Sequence, residues 1–178
     1  MILLKRIVIL IILNLPLMAC AEQNENCNEN AQCYYNVAQK LYNENKIYNV
    51  DVVNNLEKSA KLGLDIAQYK LGLVYSDKHS KFYSYSKSKF WLSKQSVKNY
   101  DAAYFLAQLI FEKGKLSKND YEEIEEKLNY ATKGNNLDAF RDLSMLYFYA
   151  PKKIQDLDKA YKYSVLAAEK TYQKRNIY

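Results

Sequence analysis

A repeat of 36 residues runs through the apolar positions of this chain. Alanine recurs at that spacing in four units. In three of them it is followed four positions later by a small or aliphatic residue and eight positions later by an aromatic one. Residues four apart lie on one face of an α-helix. The positions are Ala31, Ala67, Ala103 and Ala139, then Leu71, Ala107 and Leu143, then Tyr75, Phe111 and Tyr147. A period of this length is typical of stacked units that cannot bury their apolar faces alone. The pattern predicts an all-α solenoid of about four stacked helix-turn-helix repeats.

Eight helices follow from this period and from the residues that begin and end helices. We expect them at 31–43, 50–62, 65–76, 82–98, 101–113, 118–133, 137–149 and 157–172. Ser117 with Asp120 has the pattern of a capping box, and Asp156 is a good N-cap. Glycine is expected in the left-handed conformation after three of the helices, at Gly63, Gly114 and Gly134.

Residues 1–19 have the features of a signal peptide. Lys5 and Arg6 precede an apolar run of 13 residues, whereas a spanning helix needs about 20. The cleavage region Leu-Met-Ala-Cys resembles the lipobox of bacterial lipoproteins. That resemblance implies that Cys20 is acylated and, with Ala21 after it, that the protein is an outer-membrane lipoprotein facing the periplasm. The alternative is ordinary cleavage near Ala19, which would give a soluble periplasmic protein.

Residues 20–30 are polar and predict a flexible tether, followed by the repeat domain at 31–178. Cys27 and Cys33 remain once Cys20 is assigned to lipid. An oxidising compartment permits a disulfide between them. The alternative is a free Cys27 with Cys33 packed as a small apolar residue, because geometry decides which cysteines pair.

Charge argues weakly against nucleic acid as a partner. The formal net charge is +6, and without Lys5 and Arg6 there remain 24 basic and 20 acidic residues. The basic residues are mostly lysines, which lack the bidentate geometry of arginine. Residues 78–98 contain six lysines and no acid. They are interpreted as a solvated helix face, with anionic lipid or an acidic partner as the alternative. The next unit offers acidic counterparts at Glu122, Glu123, Glu125 and Glu126.

The sequence offers little for catalysis. His79 is the single histidine, so no metal cluster or nucleophile–base pair that needs a second histidine is available. No glycine-rich phosphate loop or nucleophile elbow is present. We therefore expect no enzyme activity, no catalytic residue, no metal site and no cofactor.

The segment Ala-Gln-Tyr-Lys-Leu-Gly-Leu-Val-Tyr at 67–75 resembles the first helix of a Sel-1-like repeat, a branch of the tetratricopeptide-type solenoids. The family's second-helix pattern, small-x-x-aromatic and then Leu-Ala-Ala, is matched at 160–163 and 166–168. The helix-packing glycine of the family survives only as Gly72. The first unit has two possible registers, because Gln39 occupies its aromatic slot and a shift of three residues places Tyr42 there.

The resemblance implies a concave surface lined by the first helix of each pair, to which another protein binds. The implied partner-binding residues are Tyr69, Leu73, Phe105, Leu109, Arg141, Met145 and Phe148. For Leu73 and Leu109, a place in the core between repeats is an equal alternative. Exported lipoproteins of this family include immunity proteins against type VI secretion effectors, so the resemblance implies neutralisation of a secreted toxin. The alternative is a structural adaptor in an envelope assembly. Neither the partner's identity nor the oligomeric state follows from the sequence.

Overall fold

A computed structural model describes residues 27–176, and within that range the chain forms eight helices and no strand. The predicted all-α solenoid of four helix pairs is confirmed. The helices are α1 (Ala31–Asn45), α2 (Val50–Lys61), α3 (Asp65–Ser76), α4 (Tyr85–Gln95), α5 (Tyr100–Phe111), α6 (Lys118–Lys133), α7 (Leu137–Tyr149) and α8 (Leu157–Arg175). The signal peptide, Cys20 and the first part of the tether lie outside the described residues. In the described part, no helix is both long and apolar enough to span a bilayer.

The helices stack in chain order. Each odd-numbered helix pairs with the even-numbered helix that follows it, and the second helix of each pair packs on the first helix of the next pair. The first helices α3 and α5 also contact each other directly. The result is a linear array in which the first helices form one layer and the second helices form the other.

The 36-residue period marks the closest contacts between helices. Ala67, Ala103 and Ala139 are fully buried, whereas Ala31 at the start of the array is half-buried. Gly72 also allows two helices to approach closely, because a Cβ at this position would lie 2.8 Å from the side chain of Leu92 on α4. Small residues at these positions let the helices approach closely enough for the leucines between them to be buried.

The bounds of α3, α6 and α7 match the prediction, and the other helices differ from it by one to three residues at one or both ends. The capping box of Ser117 and Asp120 and the Asp156 N-cap are confirmed. Helix α4 begins at Tyr85 rather than at 82, because Ser84 caps it and its backbone N–H donates to the carbonyl of Tyr75 at 2.9 Å. Gly63 and Gly114 have positive φ, as expected.

Gly134 does not have the left-handed conformation predicted for it. Its φ is −83°, and the next residue, Asn135, has φ 57° instead. Glycine is required at 134 for a different reason, since a Cβ there would lie 2.5 Å from the ring of Tyr100. The first turn of α5 therefore packs against the backbone at the end of α6.

The N-terminal end of the array is closed by a disulfide between Cys27 and Cys33, whose Cα atoms are 5.4 Å apart. Cys27 is buried, and its carbonyl accepts a hydrogen bond from the backbone N–H of Asn30 at 2.7 Å. Asn30 in turn caps α1 by accepting from the N–H of Cys33. Residues 27–30, which the sequence assigned to the flexible tether, thus belong to the folded unit.

Candidate functional site

Exposed and half-buried side chains of the first helices make up a surface that we call the first-helix face. It consists of Tyr69 on α3, Phe105 on α5, and Arg141, Met145 and Phe148 on α7. Phe105, Met145 and Phe148 are exposed, and the Arg141 guanidinium reaches solvent beside Asp138, 2.8 Å away. Of the seven predicted partner-binding residues, Phe105, Met145 and Phe148 are thus exposed, and Arg141 reaches solvent.

The other two predicted residues lie deeper. Leu109 is only 3% exposed and belongs to the core between α5 and the last repeats, which is the alternative that the sequence left open for it. Leu73 is half-buried and packs against the same core. Tyr69 also packs there, and burial, followed by the charge of Asp101, raises the pKa of its hydroxyl to about 12. Tyr69 is thus neutral and offers a hydroxyl donor at the surface.

Aromatic contacts connect the helices of this face. The rings of Tyr69 and Phe105 have centroids 6.3 Å apart, which joins α3 to α5. Phe105 makes an edge contact with Tyr104 at 5.5 Å. On α7, Phe148 makes an edge contact with Tyr149 at 4.8 Å. Rings held by their neighbours lose little side-chain entropy on binding, which favours their use as anchors.

A buried carboxylate lies under the middle of the face. Asp142 accepts a hydrogen bond from the Gln108 amide and lies 3.4 Å from Nε of Arg141. Burial raises the pKa of Asp142, while Arg141 and Tyr104 oppose that rise by stabilising the charged form. Burial and then the Asp142 charge raise the pKa of Tyr104 to about 12. This network holds Arg141 in place through two carboxylates.

A cleft of about 280 Å³ opens beside Asp142 between α5, α6 and α7. Aromatic and aliphatic side chains make up most of its wall, and Gln108 and Asp142 supply polar groups. The lining residues are Gln108, Phe111, Tyr121, Asp142, Met145, Leu146, Tyr149 and Ala150. The cleft is large enough for one or two side chains of a partner and is small for a substrate-sized ligand.

Neither the known family models nor the curated proteins contain a match to the chain. Solved structures do. The chain is similar to a Sel1 repeat protein from Oxalobacter formigenes, with a TM-score of 0.61 and 20% identity over 80% of this chain. It is also similar to c5321, a protective antigen of uropathogenic Escherichia coli with an SLR fold, with a TM-score of 0.62 and 22% identity over the same share.

The chain has the Sel1-like repeat fold. It spans 59% of the length of the Oxalobacter protein and 31% of that of c5321. At these identities the likeness concerns the fold alone, and the use made of the surface has to be argued from this chain's residues.

Three side chains of this Sel1-like array were missed by sequence reasoning. Tyr149 is exposed at the end of α7, and Tyr104 and Asp142 form the polar network. Pro151 shortly after Tyr149 predicts the helix end, where a side chain loses its neighbours and becomes exposed. The sequence pattern does not indicate that Asp142 is buried in a polar network, because its hydrogen-bond partner Gln108 comes from a different repeat.

The basic stretch at 78–98 is largely neutralised inside the Sel1-like array. Lys89 forms a salt bridge of 2.8 Å with Glu123, which links α4 to α6 as the opposite charges of neighbouring units had suggested. Three more of its lysines pair with acids elsewhere, as Lys78–Glu112, Lys87–Glu57 and Lys98–Asp65. Exposed pairs of this kind contribute about 0–1 kcal/mol each. The stretch therefore lies at the surface, where four of its six lysines are paired with acids.

Within residues 27–176, no three histidine, cysteine, aspartate or glutamate side chains lie close enough to hold a metal ion. Every buried side-chain nitrogen or oxygen in that range has a hydrogen-bond partner.

Proposed function

We propose that this protein binds another protein through its first-helix face. The observation that carries the proposal is that Phe105, Met145 and Phe148 stay exposed around the buried Asp142 network. Large apolar side chains leave water when a partner covers them, and aromatic and arginine side chains are enriched at the energetic centres of interfaces. A rigid face that combines these residue types supports a binding role and needs no catalytic group.

The more specific proposal is an exported lipoprotein, anchored by Cys20, that protects the cell against a secreted effector. The lipobox-like sequence at 17–20 and the resemblance to immunity lipoproteins support it. The disulfide between Cys27 and Cys33 is compatible with an oxidising compartment such as the periplasm. In this role the first-helix face would cover the toxin's active cleft or hold it away from its target.

The contribution of one anchor residue can be estimated. A phenylalanine side chain buries about 200 Å² in full, and Phe148 is 50% exposed, which leaves about 100 Å² for a partner to cover. At about 25 cal/mol per Å², that area corresponds to about 2.5 kcal/mol. We therefore expect Phe148→Ala to weaken binding by about 70-fold.

A protection assay tests the proposal in cells. Cells that lack the protein are mixed with sibling cells that secrete effectors, and survival is measured after complementation with each variant. We expect the unchanged chain and Phe90→Ala to protect, and Phe105→Ala with Phe148→Ala to fail. Phe90 is a matched control, since it is 53% exposed but lies on the second helix α4.

The outcome separates the two envelope roles. Lysis that depends on an attacking sibling supports the immunity role. An envelope defect without any attacker supports a structural adaptor and rejects immunity. Equal protection by the Phe90 and Phe148 variants would reject the first-helix face as the binding surface.

A further inference from the structure

The last helix carries an exposed stripe that the first-helix face does not use. Six residues of α8 recur at alternating intervals of three and four, which places them on one side of the helix. Tyr161 and Tyr172 are 73% and 70% exposed. We call this set the α8 stripe: Asp158, Tyr161, Val165, Ala168, Tyr172 and Arg175.

The 36-residue register shows what this side of a second helix does elsewhere in the array. Glu125, 36 residues before Tyr161, hydrogen-bonds to Tyr147 of the following repeat. Lys89, another 36 residues earlier, forms a salt bridge to Glu123 of its following repeat. Tyr161 and Val165 therefore lie on the side that an interior second helix turns toward its neighbour, because Glu125 and Asn129 in the same slots of α6 bond to the following repeat. Within residues 27–176 no further helix follows α8 on that side.

The stripe differs in composition from the interior helices. Leu56, Leu92 and Leu128 share one slot of the period and are fully buried. Ser164 occupies that slot in α8 and is exposed. The centre of the α8 stripe consists of Val165 and Ala168, with a tyrosine toward each end. Such a surface lacks the leucine that packs a following repeat, but it leaves room for a helix with tyrosines in complementary positions.

A second copy of α8 in antiparallel orientation supplies such a helix. When Tyr161 faces Tyr172 of the other copy, the register also places Val165 opposite Ala168. The same register brings Asp158 opposite Arg175 at both ends of the contact. The pairing is self-complementary, as a two-fold interface requires.

Charges beside the stripe favour the same arrangement. Lys162 and Glu169 flank the stripe on one side, and antiparallel pairing brings the lysine of one copy near the glutamate of the other. Parallel pairing would instead place each Asp158 against its own counterpart, and each Arg175 likewise. Like charges at such contacts destabilise a helix pair.

We infer that this protein self-associates through two antiparallel α8 helices, with Tyr161–Tyr172 contacts around a centre of Val165 and Ala168. The contact from Asp158 to Arg175 extends over about 26 Å of helix. It is at the small end of the range for specific interfaces, so we expect a dissociation constant on the order of 10–100 µM. Two chains held on one membrane would meet at a higher effective concentration. Ala168, Tyr172 and Arg175 of the α8 stripe line one groove with Arg141, so the dimer contact borders the first-helix face. The inference does not rest on the proposed partner binding.

Sedimentation of the full chain in mild detergent, from about 5 to about 500 µM, tests this inference. We expect a dimer that forms with rising concentration and that weakens at least tenfold in Tyr161→Ala with Tyr172→Ala. Tyr149→Ala is the matched control, because Tyr149 is 74% exposed but lies on α7. A chain that stays monomeric throughout, or a dimer that persists unchanged in the double variant, would overturn the inference.

A charge exchange tests the orientation. Asp158→Arg alone and Arg175→Asp alone should each weaken the dimer, since each places like charges together at both ends. The two changes combined should restore it, because the pairs are re-formed with reversed sign. A combined variant that is weaker than either single one would overturn the antiparallel arrangement. Circular dichroism of each variant establishes that α8 remains folded.

Discussion

Replacing Gly134 with alanine tests the closest contact in the third repeat. The added Cβ would lie 2.5 Å from two ring carbons of Tyr100 and 2.6 Å from its Cβ. Rotation of the ring does not relieve the clash, because the Tyr100 Cβ is fixed to the backbone of α5. Backbone strain does not contribute, since φ at Gly134 is −83°.

Overpacking of this kind costs about 1–3 kcal/mol, while alanine recovers about 0.4–1 kcal/mol by restricting the unfolded chain. We therefore expect Gly134→Ala to lower the free energy of unfolding by about 1.5 kcal/mol. For a domain of this size, that corresponds to a melting temperature lower by about 3–6 °C. Urea unfolding followed by circular dichroism at the helix band measures the change.

A second background isolates the cause. In Tyr100→Gly, which removes the Cβ as well as the ring, the clash disappears, so Gly134→Ala should become neutral or slightly stabilising, with a coupling of about 2 kcal/mol between the sites. Gly114→Ala is the matched control. It has φ +93° and none of the described atoms within 4 Å of an added Cβ, so its cost comes from the backbone and should not depend on Tyr100. Equal costs of Gly134→Ala in both backgrounds would refute the packing argument.

Three further predictions concern the stability of the array. Hydrogen bonds from Ser117 lower the pKa of Asp120, so its contribution is present at neutral pH and is lost as the pH falls below the unfolded value of about 4. Asp120→Asn should therefore have a lower urea midpoint than the unchanged chain at pH 7, and the difference between the two midpoints should be smaller at pH 3. The same difference at both pH values would contradict this. Leu128→Ala should cost about 2–5 kcal/mol in the same assay because its fully buried side chain leaves a cavity. Reducing the disulfide between Cys27 and Cys33 should lower the free energy of unfolding by about 2 kcal/mol, measured as a lower melting temperature. In the control variant Cys33→Ser, which has no such disulfide, adding reductant should leave the melting temperature unchanged.

The sequence predicts the array well because the period records contacts that recur in each repeat. The bounds of α3, α6 and α7 match the expected helices, and the capping residues of α6 and α8 hold the predicted roles. The prediction fails where a local signal competes with packing. At Gly134, contact with Tyr100 decides the residue type, and the left-handed turn moves to Asn135.

The binding surface is harder to predict, since burial depends on which helices lie alongside. Leu109 and Met145 occupy the same slot, 36 residues apart, yet Leu109 is in the core and Met145 is exposed. α5 has a further helix pair packed after it, whereas α7 has only α8 among the described residues. The period alone treats the two residues as equivalent, and only the order of the stack distinguishes them.

Photo-crosslinking in living cells tests the central claim most directly. A photoreactive phenylalanine analogue is placed at position 148 or at position 90, and the cells are irradiated while attacking siblings are present. We expect a discrete adduct with one partner protein at position 148 and none at position 90. Adducts of equal yield at both positions, or an adduct at position 90 alone, would contradict binding through the first-helix face.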